Sequence, residues 1–226
     1  MKDVLRLLES QRETERRFVA DATGEPDYPR GWPAALLMAH VSSWREQLRG
    51  GLIEASRGQP VSAPPTDVDA FNAAELARSA GFSLSDAATR ADALLGDLID
   101  LWATLGDRPF GWYIAKTTGE ALIRNSYAHP RNHLAEHFIE RGDAARGYRT
   151  YEESAAELRT VEAPGHILGP ALYNVACARV GQRRFGEALR LLEEAMPMRP
   201  EMRATAAADT DLAPLKNDPR FHALLS

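Results

Sequence analysis

The 226 residues are 44% hydrophobic and 26% charged, with a formal net charge of −5, ordinary proportions for a chain that buries a core without covalent staples. The single cysteine, Cys177, excludes an intrachain disulfide or a thiolate metal cluster and fits a reducing compartment. The acidic balance argues against a general nucleic-acid or anionic-membrane binder, and no segment approaches the roughly 20 apolar residues that span a bilayer.

This length makes one large domain or two small ones. The start, Met1-Lys2-Asp3-Val4-Leu5-Arg6, reads as the beginning of a helix and not as a signal peptide, so a cytoplasmic protein is expected. Residues 3–22 carry apolar positions at Val4, Leu7, Leu8, Phe18 and Val19 at helical period, around a very polar middle. Gly24, Pro26 and Pro29 make 23–30 a loop. A second helix starts near Trp32-Pro33, with a stripe of Leu36, Leu37, His40, Val41, Trp44 and Leu48, and Gly50-Gly51 would interrupt or bend it. Three prolines make 58–66 a loop, and 69–80 a short helix. Ser83 or Ser85 caps a third long helix to about Leu105, whose apolar set includes Ala91, Leu94, Leu95, Leu98 and Trp102.

Gly106 to Pro109 breaks the chain. Residues 112–125 and 128–141 are the next predicted helices, then a Gly142-Asp143 turn and a helix over 144–160. After the linker Ala163-Pro164-Gly165, residues 168–180 and 185–196 form a helix pair about Gly181–Arg184. So many helical periods with short loops predict an all-α fold. Arg16-Arg17, flanked by Glu13 and Glu15, and Arg183-Arg184 read as solvated helix faces, so no nucleic-acid partner is expected.

The helix pair carries a motif. Leu172 to Gly181, then Phe185 to Ala195, then Pro200, resemble one tetratricopeptide repeat of about 34 residues. Ala176, Ala188 and Ala195 would let two antiparallel helices approach, Phe185 and Leu192 would fill the gap, and Pro200 would stop the second helix. A weaker copy over Leu134–Ser154 precedes it, and the tail Asp211–Phe221 resembles the segment that closes such arrays. Fewer than three repeats make no long peptide groove. These helices either cap the first domain or dock a protein partner.

Six histidines are present: His40, His129, His133, His137, His166 and His222. His40 lies within an apolar stripe, where a hydrogen-bonded core role competes with a ligand role. His129 and His133, four apart, share one face of a continuous helix. One imidazole from one helix and two from another make a three-nitrogen site with open positions, suited to zinc, nickel or iron.

Here the sequence resembles a known family. Leu37-Met38-Ala39-His40-Val41-Ser42-Ser43-Trp44-Arg45-Glu46 is similar to the second-helix signature of the DinB-like superfamily, particularly its ClbS/DfsB branch. Phe71-Asn72 followed by the 83–105 helix, and His129-Pro130-Arg131-Asn132-His133, resemble that family in order and spacing, over roughly residues 1–141. The resemblance implies an up-down-down-up four-helix bundle over 1–141, followed by the repeat-like segment over 142–226. It implies a divalent metal held by His40, His129 and His133, and a hydrolase or thiol transferase acting on a small molecule. The alternative is a non-catalytic scaffold that works through the repeat-like helices. A small-molecule substrate, a protein partner and a homodimer are all compatible with the chain.

Pro130 departs from a regular helix. It either kinks the helix or starts it, and in the second case the stacked histidine pair is lost. His137 continues the spacing and either substitutes for His129 or faces the repeat helices. Glu136 and Glu46 lie within about two turns of the expected ligands and are candidate proton acceptors against a solvated-face role. Trp44 would wall the pocket, and Cys177 is read as packing. His166, in the linker, and His222, in the tail, receive no role.

Overall fold

The computed structural model describes residues 3–23 and 31–225. The predicted 23–30 loop therefore lies, apart from Thr23, outside the described residues. Two compact units are present, Met1–Gly147 and Tyr148–Ser226, and each is taken by itself. The fold is all-α except for one two-stranded hairpin.

In the first unit, α1 (Val4–Ala22) buries Val4, Leu7, Leu8, Gln11, Glu15, Phe18 and Ala22. These positions repeat every three or four residues, so they form one stripe. Of the polar middle, Gln11 and Glu15 face inward, while Arg16 and Arg17 are exposed as expected. The next helix, α2 (Ala34–Ser56), buries Leu37 to Arg45 without a break, as expected of a helix enclosed by others. It runs straight through Gly50-Gly51 with no interruption. The reason is packing: a Cβ on Gly51 would lie 3.0 Å from Trp112 and 3.4 Å from Phe110. Glycine here lets those aromatic rings lean on the helix, at a cost of roughly 0.5–1 kcal/mol in helix propensity.

Asp67 caps α3 (Val68–Ser79), its carboxylate accepting from the Ala70 amide at 2.9 Å. Ser83, and not Ser85, caps α4 (Leu84–Leu105), accepting from the Asp86 amide at 3.1 Å. Gly106 ends α4 with φ of 61°, a conformation that suits glycine.

The predicted helix over 112–125 is not formed as such. Pro109–Trp112 (β1) and Ala115–Thr117 (β2) pair antiparallel instead. Burial alternates along β1, with Phe110 and Trp112 inside, and that period of two is a strand's. Helix resumes only at α5 (Thr118–Ile123), capped by Thr117. It passes through a π turn (Arg124–Ala128) into α6 (His129–Glu140). Helices α1, α2, α4 and this interrupted fourth helix share the core, in which Phe18, Leu37, Met38, Val41, Ala91 and Leu134 pack together. The expected bounds 1–141 and 142–226 stand beside a structural division that falls within α7 (Ala144–Thr160).

In the second unit, α8 (Gly165–Gly181) and α9 (Phe185–Met198) form a hairpin. Ala176, Ala188 and Ala195 are fully buried. A Cβ on Gly169 would meet the Ala195 carbonyl at 3.3 Å, so the seam is built of small residues. Leu192 fills it, but Phe185 is 39% exposed at the start of α9. The expectation that Phe185 plugs the seam is corrected: the first residue of a helix stands at its rim. The helix ends at Met198, before Pro200. After α10 (Met202–Ala208) and a 3-10 turn, α11 (Pro219–Leu225) follows. Leu212, Leu215 and Phe221 are buried. No described helix is long and apolar enough to cross a membrane.

Candidate metal centre

Three imidazoles from two helices meet at one point. His40 projects from the second turn of α2 and is 3% exposed. His129 opens α6 and His133 follows one turn later. The Nε2 of His129 lies 3.0 Å from that of His40 and 3.0 Å from that of His133. One ligand atom from each ring lies within 4.8 Å of the other two.

Hydrogen bonding alone does not account for this convergence. An imidazole nitrogen has one in-plane site, either a lone pair or an N–H. The Nε2 of His129 therefore serves one neighbour well and leaves the other facing it. A cation satisfies all three lone pairs together. Nitrogens bound at about 2.0–2.1 Å to one tetrahedral ion lie about 3.3–3.4 Å apart, and the two observed spacings of 3.0 Å are slightly shorter than that. The three histidines are close enough to hold a metal ion.

Pro130 does not disrupt the cluster, because the π turn absorbs it. The His129 amide donates to the Arg124 carbonyl, five residues back, in place of the α-helical partner four back. An α-helical residue 130 would donate to the Ser126 carbonyl, which proline cannot do. That carbonyl accepts instead from Arg45 Nη2 at 3.4 Å. Single π turns of this kind recur at functional sites.

The surrounding charges set the protonation. Burial, and then His133, lower the His40 pKa to about 3. Burial, then His133 and His40, hold His129 well below its ordinary value. Both are neutral at pH 7, as a nitrogen ligand must be. His133 is oriented from behind, its Nδ1 lying 3.1 Å from Glu136 Oε2, the usual carboxylate partner of a ligating histidine.

Two tryptophans wall the cluster. Trp32 lies 4.8 Å from His40 and stacks on His133 at 5.7 Å between centroids. Trp44 stands 6.3 Å from His129 and 4.7 Å from Phe71, and its Nε1 donates to Asn72 Oδ1 at 3.0 Å. The Phe71-Asn72 pair thus holds Trp44. On the Trp32 side a cleft of about 170 Å³ reaches His133, with Glu136, Glu140 and Leu37 in its walls.

The remaining candidates fall away from the cluster. His137 is buried against Phe18, its ring edge-on at 4.9 Å, and its Nε2 accepts from Arg141 Nε at 2.7 Å. Its pKa is lowered to about 4 by burial and then by Arg141. It does not replace His129; it is buried in the first unit and lines the cleft that reaches His133. Glu46 pairs with Arg49 and Arg90. In the second unit, His166 lies in the first turn of α8, since that helix begins at Gly165. Cys177 sits 3.9 Å from Asp209 Oδ2, and burial pushes its thiol upward, which makes it inert.

Sequence reasoning missed Trp32 as a site residue. Its signal was a tryptophan just ahead of a helix that carries an inward histidine. It also missed Arg45, wholly buried and bound through both Nη atoms to Glu15 at 2.9 and 2.6 Å. Gln11 donates to Glu15 at 2.7 Å and accepts from Arg131 Nε at 2.7 Å, which extends this polar chain across the core. No family model, no curated protein and no solved structure matches the chain.

Proposed function

We propose that the chain is a divalent-metal-dependent enzyme of DinB-like type, a hydrolase or thiol transferase that acts on a small molecule. The observation that supports this reading is the meeting of three Nε2 atoms, two pairs of them 3.0 Å apart. His40, His129 and His133 would hold the metal. An all-imidazole set suits zinc, nickel or iron. When bound, such an ion supplies Lewis-acid polarisation and a lowered pKa for a coordinated water or thiol.

The chain's own residues do the rest. Glu136 fixes the tautomer and orientation of His133 through Nδ1. Its role as the proton acceptor gives way to that orienting bond. Trp32 and Trp44 exclude bulk water from two sides, which strengthens electrostatic interactions inside. The cleft beside Trp32 admits a substrate of small size.

The alternative reading is a scaffold in which the α8–α9 hairpin acts as a tetratricopeptide-like docking element. Its support is the small-residue seam and the exposed Phe185. Metal analysis of protein purified without chelator separates the two. About one zinc, nickel or iron per chain, lost in His133→Ala, is expected. A chain that carries no metal and takes none from zinc or nickel solutions counts against the enzyme.

A further inference from the structure

Residues after the π turn do not face where an unbroken α-helix would carry them. A π turn takes up about one residue more than an α turn, and one residue is about 100° of rotation. Threaded as plain α-helix from Thr118, the same sequence would swing His129 and His133 about 100° around the axis relative to α5. The irregular turn is therefore what aims both rings at His40. Whatever holds that turn holds the cluster.

Three side chains hold it, Asn125 and Ser126 from within the turn and Arg45 from α2. Asn125 Nδ2 donates to the Trp44 carbonyl at 3.1 Å, and Ser126 Oγ donates to Asn125 Oδ1 at 2.9 Å. Arg45 Nη2 donates to the Ser126 carbonyl, the group that Pro130 leaves without its helical donor. The guanidinium is itself fixed on other sides, bidentate to Glu15 on α1 and donating to the Ala91 carbonyl on α4 at 3.0 Å. Its planar fork suits this simultaneous duty, which an ammonium cannot copy.

We infer that Arg45 is a positioning residue of the histidine cluster, joining the α2 backbone that bears His40 to the π turn that aims His129. It touches neither ligand nor substrate. The inference rests on the metal reading for its functional meaning, though its geometry can be tested without metal.

The test combines two variants and two readouts on the full chain. Glu15→Met/Arg45→Met removes both buried charges together, which cores often tolerate. Arg45→Lys keeps the charge opposite Glu15 but loses the fork. Zinc affinity is measured by competition with a chromogenic chelator. Nuclear Overhauser contacts between the His40 and His129 rings, 5.0 Å apart at their centroids, are measured in metal-free protein. Each variant is expected to keep its helix content, to bind zinc roughly 10–100-fold more weakly, and to lose the ring contacts. A folded variant of either kind that keeps wild-type zinc affinity and ring contacts overturns the inference. If the double variant does not fold, Arg45→Lys decides. If wild-type protein binds no zinc, the metal reading fails and the ring contacts alone judge Arg45.

Discussion

The cores of the two units are built on opposite plans. In the second unit, α8 and α9 meet along alanines and a glycine, with Leu192 between them, and the charged pair that joins them, Arg179 and Glu187 at 3.3 Å, leaves Glu187 part-exposed. In the first, a bidentate arginine–glutamate pair, a glutamine, a second arginine and a histidine lie fully or nearly buried among leucines. A hydrophobic seam is the simpler way to hold helices together. Buried ion pairs are weak evidence for stability, because desolvation offsets most of their attraction. The contrast teaches that the polar core serves placement: it lies around the one irregular turn and the three convergent imidazoles.

That comparison can be broken at several points. The largest expected effect is His129→Ala, which removes the ligand shared by both close contacts and should weaken zinc binding by at least about 100-fold. Competition titration checks it, and an unchanged affinity would remove the cluster from consideration. Next comes Glu15→Ala, which leaves Arg45 buried without its partner and should cost about 3–5 kcal/mol in urea unfolding. A loss under 1 kcal/mol would mean that water reaches the pair.

Leu192→Ala, in the apolar seam, should cost about 2–5 kcal/mol while metal content stays at the wild-type level. Any change in metal content would tie the seam to the site and erase the contrast. The pH dependence is smaller. His40 has a folded-state pKa of about 3, below the ordinary unfolded value of about 6.5. The unfolded chain therefore takes up protons first as pH falls. Stability is full above about pH 6.5 and is lost progressively toward pH 3, by about 2 kcal/mol at pH 5 from this residue alone. Urea titrations across that range should show a shallower fall of stability with pH in His40→Asn than in wild type; equal slopes would mean that His40 is not the source. The smallest effect is Ser83→Ala, an exposed cap away from both cores, at about 1 kcal/mol by the same measurement.

Legibility in the sequence followed the same divide. Helix bounds that rest on period and capping were readable: the α7 span, the α4 start at Ser83 and the α8–α9 pair. So was the proximity of the three histidines, which the apolar stripe, the four-residue spacing and the family resemblance suggested together. The buried charges were not legible, since Glu15 and Arg45 satisfy each other only through a fold that brings α1 against α2. The expected helix over 112–125 covers Trp112 and β2 because the alternation that marks a strand lies in only four residues, 109–112. The π turn left no trace of its own. Pro130 signalled trouble for an α-helix, but the sequence does not say that a shifted register answers it.

Trp32 lies nearly flat on the His133 ring, with 26° between the planes. An indole so placed reports on the electronic state of its neighbour, so under the proposed metal reading its emission would change when an ion withdraws electron density from the ring. Under the proposed function, Trp32 would serve as an intrinsic optical gauge of ion loading. The difference between wild type and Trp32→Phe would isolate it from the other three indoles, with no dye attached.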